Sequence, residues 1–152
     1  MLTYFSHVTF SKNIGVDKNG MILDVHSIAA NEHNSRGLKP LISKLGYKPK
    51  KLYADKGYQV PANVFYFHSR GIKHRIQKKA HKNPTLSRIA VLFNKLVSKT
   101  RWVVERTFGS IKHWFGASKA RYKVLACVHA QHLMEAMAYN LYHSPEIIMR
   151  FP

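Results

Sequence analysis

"KLYADKGYQVPANVFYFHSRGIKHRIQ", residues 51–77, decides the class of fold. Leu52 to Ala54 reads as a short buried strand ending at Asp55, with Gly57 permitting a sharp exit. "VPANVFYFHSRG" reads as a short helix closed by Gly71, and "IKHRIQ" reads as a further strand. Upstream, "NIGVDKNGMILDVHSIAAN" (13–31) reads as a hairpin. Ile14 and Val16 alternate, "DKNG" (17–20) supplies a turn in which Asn and Gly tolerate positive φ, and Ile22, Leu23, Val25 and Ile28 form the second run. "NSRGLKPLISKLGY" (34–47) follows as a helix with Asn34 or Ser35 as its cap. Its stripe is Leu38, Leu41, Ile42 and Leu45, Gly46 stops it, and Pro40 in its early turns moves its start later than Ser35.

Residues 77–87 contain "KKAHKNPT" and read as a polar, basic loop. Beyond Leu86 the chain reads as helical, with Leu92, Leu96, Val103, Val104, Phe108, Ile111 and Phe115 at helical spacing. Val124 to Tyr142 is apolar and Ala-rich and reads as a buried helix. The succession strand, strand, helix, strand, helix, strand, helix predicts a single α/β domain over 1–152, a mixed sheet with flanking helices.

The charge narrows the partners. Twenty-five Lys and Arg stand against seven Asp and Glu, a net +18 with His neutral. Such an excess self-repels unless an anion is near, and nucleic acid is the polyanion it fits. The basic residues are spread over several segments and do not line one long amphipathic helix, which argues against a membrane surface. A single cysteine, Cys127, excludes an internal disulfide and points to a reducing cytoplasm. Its apolar run "VLACVHA" reads as core. The opening "MLTYFSHVTFSK" lacks the pattern of a signal peptide, and no apolar run reaches the length of a membrane span.

Two acids stand out. No Asp or Glu occurs from Lys56 to Val104 or from Arg106 to Met134, so Glu105 is isolated in "RWVVERTFGSIKHWF" (101–115). On a helical wheel with Arg101 at zero, Lys112 falls near about 20° and Glu105 near about 40°, while the apolar stripe lies between roughly 280° and 340°. Glu105 therefore sits at the edge of the buried face. Trp102 and Trp114 fall on different faces, so one of them is expected to be buried. Arg101 and Glu105, four apart, are also what an ordinary surface ion pair looks like. Asp55, equally isolated, ends a strand before a glycine. Carboxylates at strand ends, with another on a neighbouring helix, can hold hard divalent cations, and Mg²⁺ takes one or two carboxylates with water and phosphate. Among the other candidates, His129 and His132 lie three apart in an apolar run and read as structural histidines, since no Cys or acid completes a metal set. Of the aromatics Tyr53, Tyr58, Phe65, Tyr66 and Phe67, most are expected in the core.

"YADKGYQ" followed far downstream by "TRWVVERTFGSIKHWF" and "ARY" resembles the C-terminal part of DDE-type bacterial insertion-sequence transposases. Their signature is Tyr, two residues, Arg, three residues, Glu, six residues, Lys, and Arg101, Glu105 and Lys112 match it at that spacing, with Ser98 in place of Tyr. "GVDKNGMI" with "SIAANEHNSRGLKPLI" resembles the hairpin and helix between the family's first and second acids, with Asn34 where Asp is common. The resemblance implies a ribonuclease H-like catalytic core that cuts and joins DNA in transposition with Mg²⁺ or Mn²⁺. It implies Asp55 and Glu105 as metal ligands and catalytic acids. Arg101 and Lys112 would touch DNA phosphate, with Arg106 and Arg121 as further contacts and Lys78 and Lys79 in the basic run. Tyr58 and Gly57 would shape the loop after the strand. It further implies transposon-end and target DNA as partners, another transposase chain as a possible companion, and a cytoplasmic, nucleoid-associated location. The first acid and the strand bearing it are expected to be missing, as in a truncated domain, with Asp17 too close to the turn to replace it. The competing expectation is a non-enzymatic DNA-binding remnant or transposition inhibitor.

Overall fold

The computed structural model describes residues 2–4, 10–80 and 86–149. The elements run β1 (Leu2–Tyr4), β2 (Phe10–Val16), β3 (Ile22–Ala29), α1 (Leu38–Lys44), β4 (Lys51–Ala54), α2 (Pro61–Ser69), β5 (Lys73–Ile76), α3 (Arg88–Phe115) and α4 (Leu125–Ile148). The strands form two hydrogen-bonded groups, an antiparallel β1-β2-β3 sheet and a parallel β4-β5 pair. The element order from β2 onward is the one the sequence predicts, but the strands form two separate hydrogen-bonded groups and not the single mixed sheet expected. The additional strand β1 stands ahead of the hairpin, Leu2 opposite Ile14, and pairs with an edge of β2 that would otherwise present open N–H and C=O groups. The central part of the 77–87 loop, residues 81–85 with Pro84, lies outside the described residues.

The hairpin forms for the reason its turn suggests. The Asp17 carboxylate accepts from the backbone N–H groups of Asn19 and Met21, both at 2.8 Å, and Gly20 takes the left-handed φ of +96°. This turn is also clasped from outside. Thr107 of α3 donates to the Gly20 carbonyl, and Asn140 of α4 exchanges two hydrogen bonds with the backbone of Ile22.

Alternation along β2 then assigns the layers. Ile14, with Ile22 and Val25, packs against Val104, Phe108 and Ile111 of α3 and Ala136 and Tyr139 of α4. The neighbouring Asn13 and Gly15 face the other way, Asn13 toward Gly37 and Gly15 toward Leu41. A second cluster joins Leu38 and Ile42 of α1 to Leu52, Ala54, Tyr58, Phe67, Ile72 and Ile76 around the parallel pair. Helix α3 reaches both groups of strands, packing on β4 as well as under the hairpin.

Several local expectations are corrected. The turn leading into α1 is capped by His33, whose Nδ1 accepts from the Ser35 N–H, and not by Asn34 or Ser35. A single 3-10 turn over Asn34–Gly37 delays α1 to Leu38, in keeping with Pro40. Gly57 has no positive φ; the exit from β4 is a 3-10 turn capped by Asp55. Leu92 and Leu96 are exposed, because the first turns of α3 bury only Ala90 and Val97. Helix α4 is buried along one side only, leaving Met134, Met137 and Leu141 in solvent. Cys127 is exposed while the next residue, Val128, turns inward. Both tryptophans are exposed: Trp102 lies beneath the Arg106 guanidinium at 4.8 Å, and Trp114 stacks on Tyr142.

A buried polar joint fixes the second layer. The Tyr58 hydroxyl donates to Asn13 Oδ1 at 2.8 Å, and Asn63 donates to the carbonyls of Ser35 and Tyr58. Gly37 lies against this joint so closely that an added Cβ would fall 2.5 Å from Asn13 Nδ2 and 2.9 Å from its Cγ. With Asn13 fully buried and held by Tyr58, it has no room to withdraw. Gly37→Ala is expected to cost about 1–3 kcal/mol through overpacking. Gly46→Ala, where an added Cβ meets nothing within 4 Å, should stay within about 0.5 kcal/mol of the parent. Urea unfolding of the two variants checks this; equal losses would show that the close approach is not what selects glycine.

Candidate metal and DNA site

The parallel pair sets the floor of the site. Its register places Leu52 beside His74 and Ala54 beside Ile76, so both strands end level. The residues that follow, Asp55 and Gln77, therefore emerge together, and Gln77 N–H donates to the Ala54 carbonyl. The Asp55 Oδ1 caps its own turn by accepting from the Lys56 N–H at 2.7 Å. Helix α3 crosses above, docked at its start by Asn94, whose side chain exchanges two hydrogen bonds with the backbone of Lys78.

Arg101 on α3 ties these parts into one cluster. Its Nη1 donates to Gln77 Oε1 at 3.0 Å and lies 3.5 Å from Asp55 Oδ1; its Nη2 lies 3.2 Å from Glu105 Oε1. Asp55 and Glu105, fifty positions apart, thus meet the same guanidinium. The Arg101 Nε is buried and has no hydrogen-bond partner among the described residues. Asp55 is half-buried and Glu105 is exposed, as expected for a residue at the rim of the apolar stripe. Beneath Asp55, burial and, secondarily, the Asp55 charge push the Tyr58 hydroxyl well above its ordinary pKa, so it stays a proton donor to Asn13.

The other basic candidates fall into separate places. Lys78 and Lys79 follow Gln77 directly, with exposed side chains; Lys79 N–H donates to Gln59 Oε1, and Lys78 Nζ sits over the Phe93 ring. Arg106 turns to Trp102. Lys112 is half-buried, and its charge contributes to lowering the pKa of Lys12 on β2. Arg121 lies beyond the end of α3, its N–H donating to Gln131 of α4. Arg101, Asp55 and Glu105 meet. Sequence reasoning missed Gln77, which orients Arg101, and the role of Ser98, whose hydroxyl accepts from Gln77 Nε2 at 2.8 Å. The available signal was the matched length of the two strands, which brings the residue after each to the same edge.

His129 and His132, read from the sequence as structural, both meet Ser27 of β3. Ser27 Oγ lies 2.8 Å from His132 Nδ1 and 3.1 Å from His129 Nδ1. Burial, with Lys12 and His129 nearby, pushes His132 down to about 3, so the ring is neutral. Among the described residues no group of three or more His, Cys, Asp or Glu could hold a metal ion, and no helix is long and apolar enough to cross a membrane.

Residues 6–141 match a family model described as a transposase DDE domain. A curated relative, the transposase for insertion sequence element IS1106 of Neisseria meningitidis serogroup B, is 33% identical over 132 residues, which cover 87% of this chain and 46% of the relative. The chain thus spans about half the length of the curated relative it matches.

Proposed function

The chain belongs to the transposase DDE domain family, and from that premise we propose that it supplies two metal-holding acids and part of the DNA-binding surface of a site that cuts and joins DNA in transposition. The observation that carries the reading is the convergence of Asp55 and Glu105 on one cationic group, Arg101. Two carboxylates meeting a single guanidinium fit the carboxylate share of a Mg²⁺ or Mn²⁺ shell, which is completed by water and substrate phosphate. The ion, when bound, would supply Lewis acidity to the phosphodiester and activate the attacking oxygen. The chain's own residues do the rest. Asp55 is fixed by its turn, Glu105 by the packed stripe of α3, and the Lys78, Lys79, Arg106, Lys112 and Arg121 side chains take phosphates. A ribonuclease H-like fold is supported by an acid at the carboxyl end of a parallel strand, with α3 packed on that strand. Transposon ends and target DNA are the partners of this reading, another transposase chain is its companion, and the nucleoid is its place of action.

One observation favours the second reading, a DNA-binding protein without cleavage. Only two carboxylates meet at Arg101, and no third metal-ligating side chain joins them among the described residues. Incubation of the chain with insertion-element-end duplex and Mg²⁺ or Mn²⁺ separates the two. The expected result is DNA binding without nicking by this chain alone. Nicking that disappears in Glu105→Ala would show that two carboxylates suffice and remove the second reading.

A further inference from the structure

The Arg101 guanidinium has more to do than one partner requires. It faces Asp55 at 3.5 Å, Glu105 at 3.2 Å and Gln77 at 3.0 Å, while its Nε remains buried without a hydrogen bond among the described residues. An arginine forks best onto a planar or tetrahedral oxyanion that accepts two parallel bonds. Here it donates one hydrogen bond, to Gln77, and makes single-nitrogen ion-pair contacts with Asp55 and Glu105, none of which engages the fork as a pair. The arrangement offsets part of the charge of two carboxylates and leaves one donor orphaned. The side chain is one-fifth exposed and stands on the helix surface beside the exposed Glu105, so solvent reaches it along one side.

We propose that Arg101 holds the place of the divalent cation between Asp55 and Glu105, and turns to a DNA phosphate when the cation enters. The proposal rests on the metal reading above. With the ion absent, the guanidinium keeps the two acids from repelling one another and holds them together. With the ion present, the carboxylates no longer need the guanidinium, and two like-signed cations cannot share that space. Released, Arg101 gains a partner that satisfies the whole fork. Metal and DNA then favour one another's binding, and linkage makes the coupling reciprocal. Gln77, braced by Ser98, holds the guanidinium on the Asp55 side.

The test is Mn²⁺ binding, read by the loss of the free-ion electron paramagnetic resonance signal, with and without a short DNA duplex. Without DNA, Arg101→Ala is expected to bind Mn²⁺ about tenfold more tightly than the parent, inside the usual span of coupling between sites. Adding the duplex should tighten Mn²⁺ binding by the parent more than by Arg101→Ala. Arg101→Gln, which keeps a polar side chain without the charge, should move in the same direction and serves if the alanine variant does not fold. Equal or weaker Mn²⁺ binding by the Arg101 variants, with binding still dependent on Asp55 and Glu105, would overturn the exchange alone. Mn²⁺ binding that ignores both Asp55→Asn and Glu105→Gln, or is absent in every variant with and without DNA, would overturn the metal reading and the exchange with it.

Discussion

Raising the salt concentration from about 50 to about 200 mM is expected to weaken the chain's binding to a DNA duplex by about a thousandfold or more. A protein that neutralises about six to ten phosphates releases a counter-ion for nearly every one, and loses about 10³–10⁵ in affinity across that interval. The net charge of +18 supplies enough cations for such a footprint. Their placement suggests where it lies: Lys78 and Lys79 leave the end of the parallel pair beside Asp55, with Arg106 one residue beyond Glu105. The measurement is the slope of log affinity against log salt by fluorescence anisotropy. Each of Lys78→Ala and Lys79→Ala should lower the slope by about one if its ammonium meets a phosphate. A slope near zero, or one unchanged when both are replaced together, would remove this face from the DNA-binding surface.

The second large effect is structural. Lys12 on β2 and Glu135 on α4 form a buried ion pair, each about 8% exposed. Burial lowers the Lys12 pKa, against the opposing influence of its bond to Glu135. Glu135 also accepts from Gln131, which reaches on to the carbonyl of Lys119. Removing one partner leaves a charge in the interior with too few hydrogen bonds. Lys12→Met is therefore expected to cost about 3–5 kcal/mol, and replacing both partners by apolar residues of similar size should recover most of that loss. In thermal unfolding the single variant should melt on the order of 10 °C lower. A double variant no more stable than Lys12→Met would show that the pair contributes more than mutual neutralisation.

What could be read from the sequence was what is local. The hairpin is written in "DKNG", whose aspartate and glycine shape the turn. The strand, helix and strand of residues 51–77 follow from short apolar runs and Gly71, which takes a φ of +59°. Asp55 and Glu105 were legible as isolated acids at structured places, one at a strand end and one at the rim of a stripe. Pairings between distant segments were not legible. Lys12 gives no hint that its partner lies 123 residues on, and Gln77 carries no mark of its hold on Arg101. Burial was also misjudged where an apolar residue has nothing above it. Leu92 and Leu96 obey helical spacing, but helical spacing says which residues share a face and not which faces are covered.

The two acids belong to different halves of the interior. Asp55 leaves a strand rooted with Tyr58 and Phe67, whereas Glu105 rides between Val104 and Phe108, whose side chains are embedded under the hairpin. A single rod, α3, lies across that seam. The gap between the carboxylates is therefore geared to the pitch of the rod, and a small tilt, with no change in either side chain, would open or close the jaws.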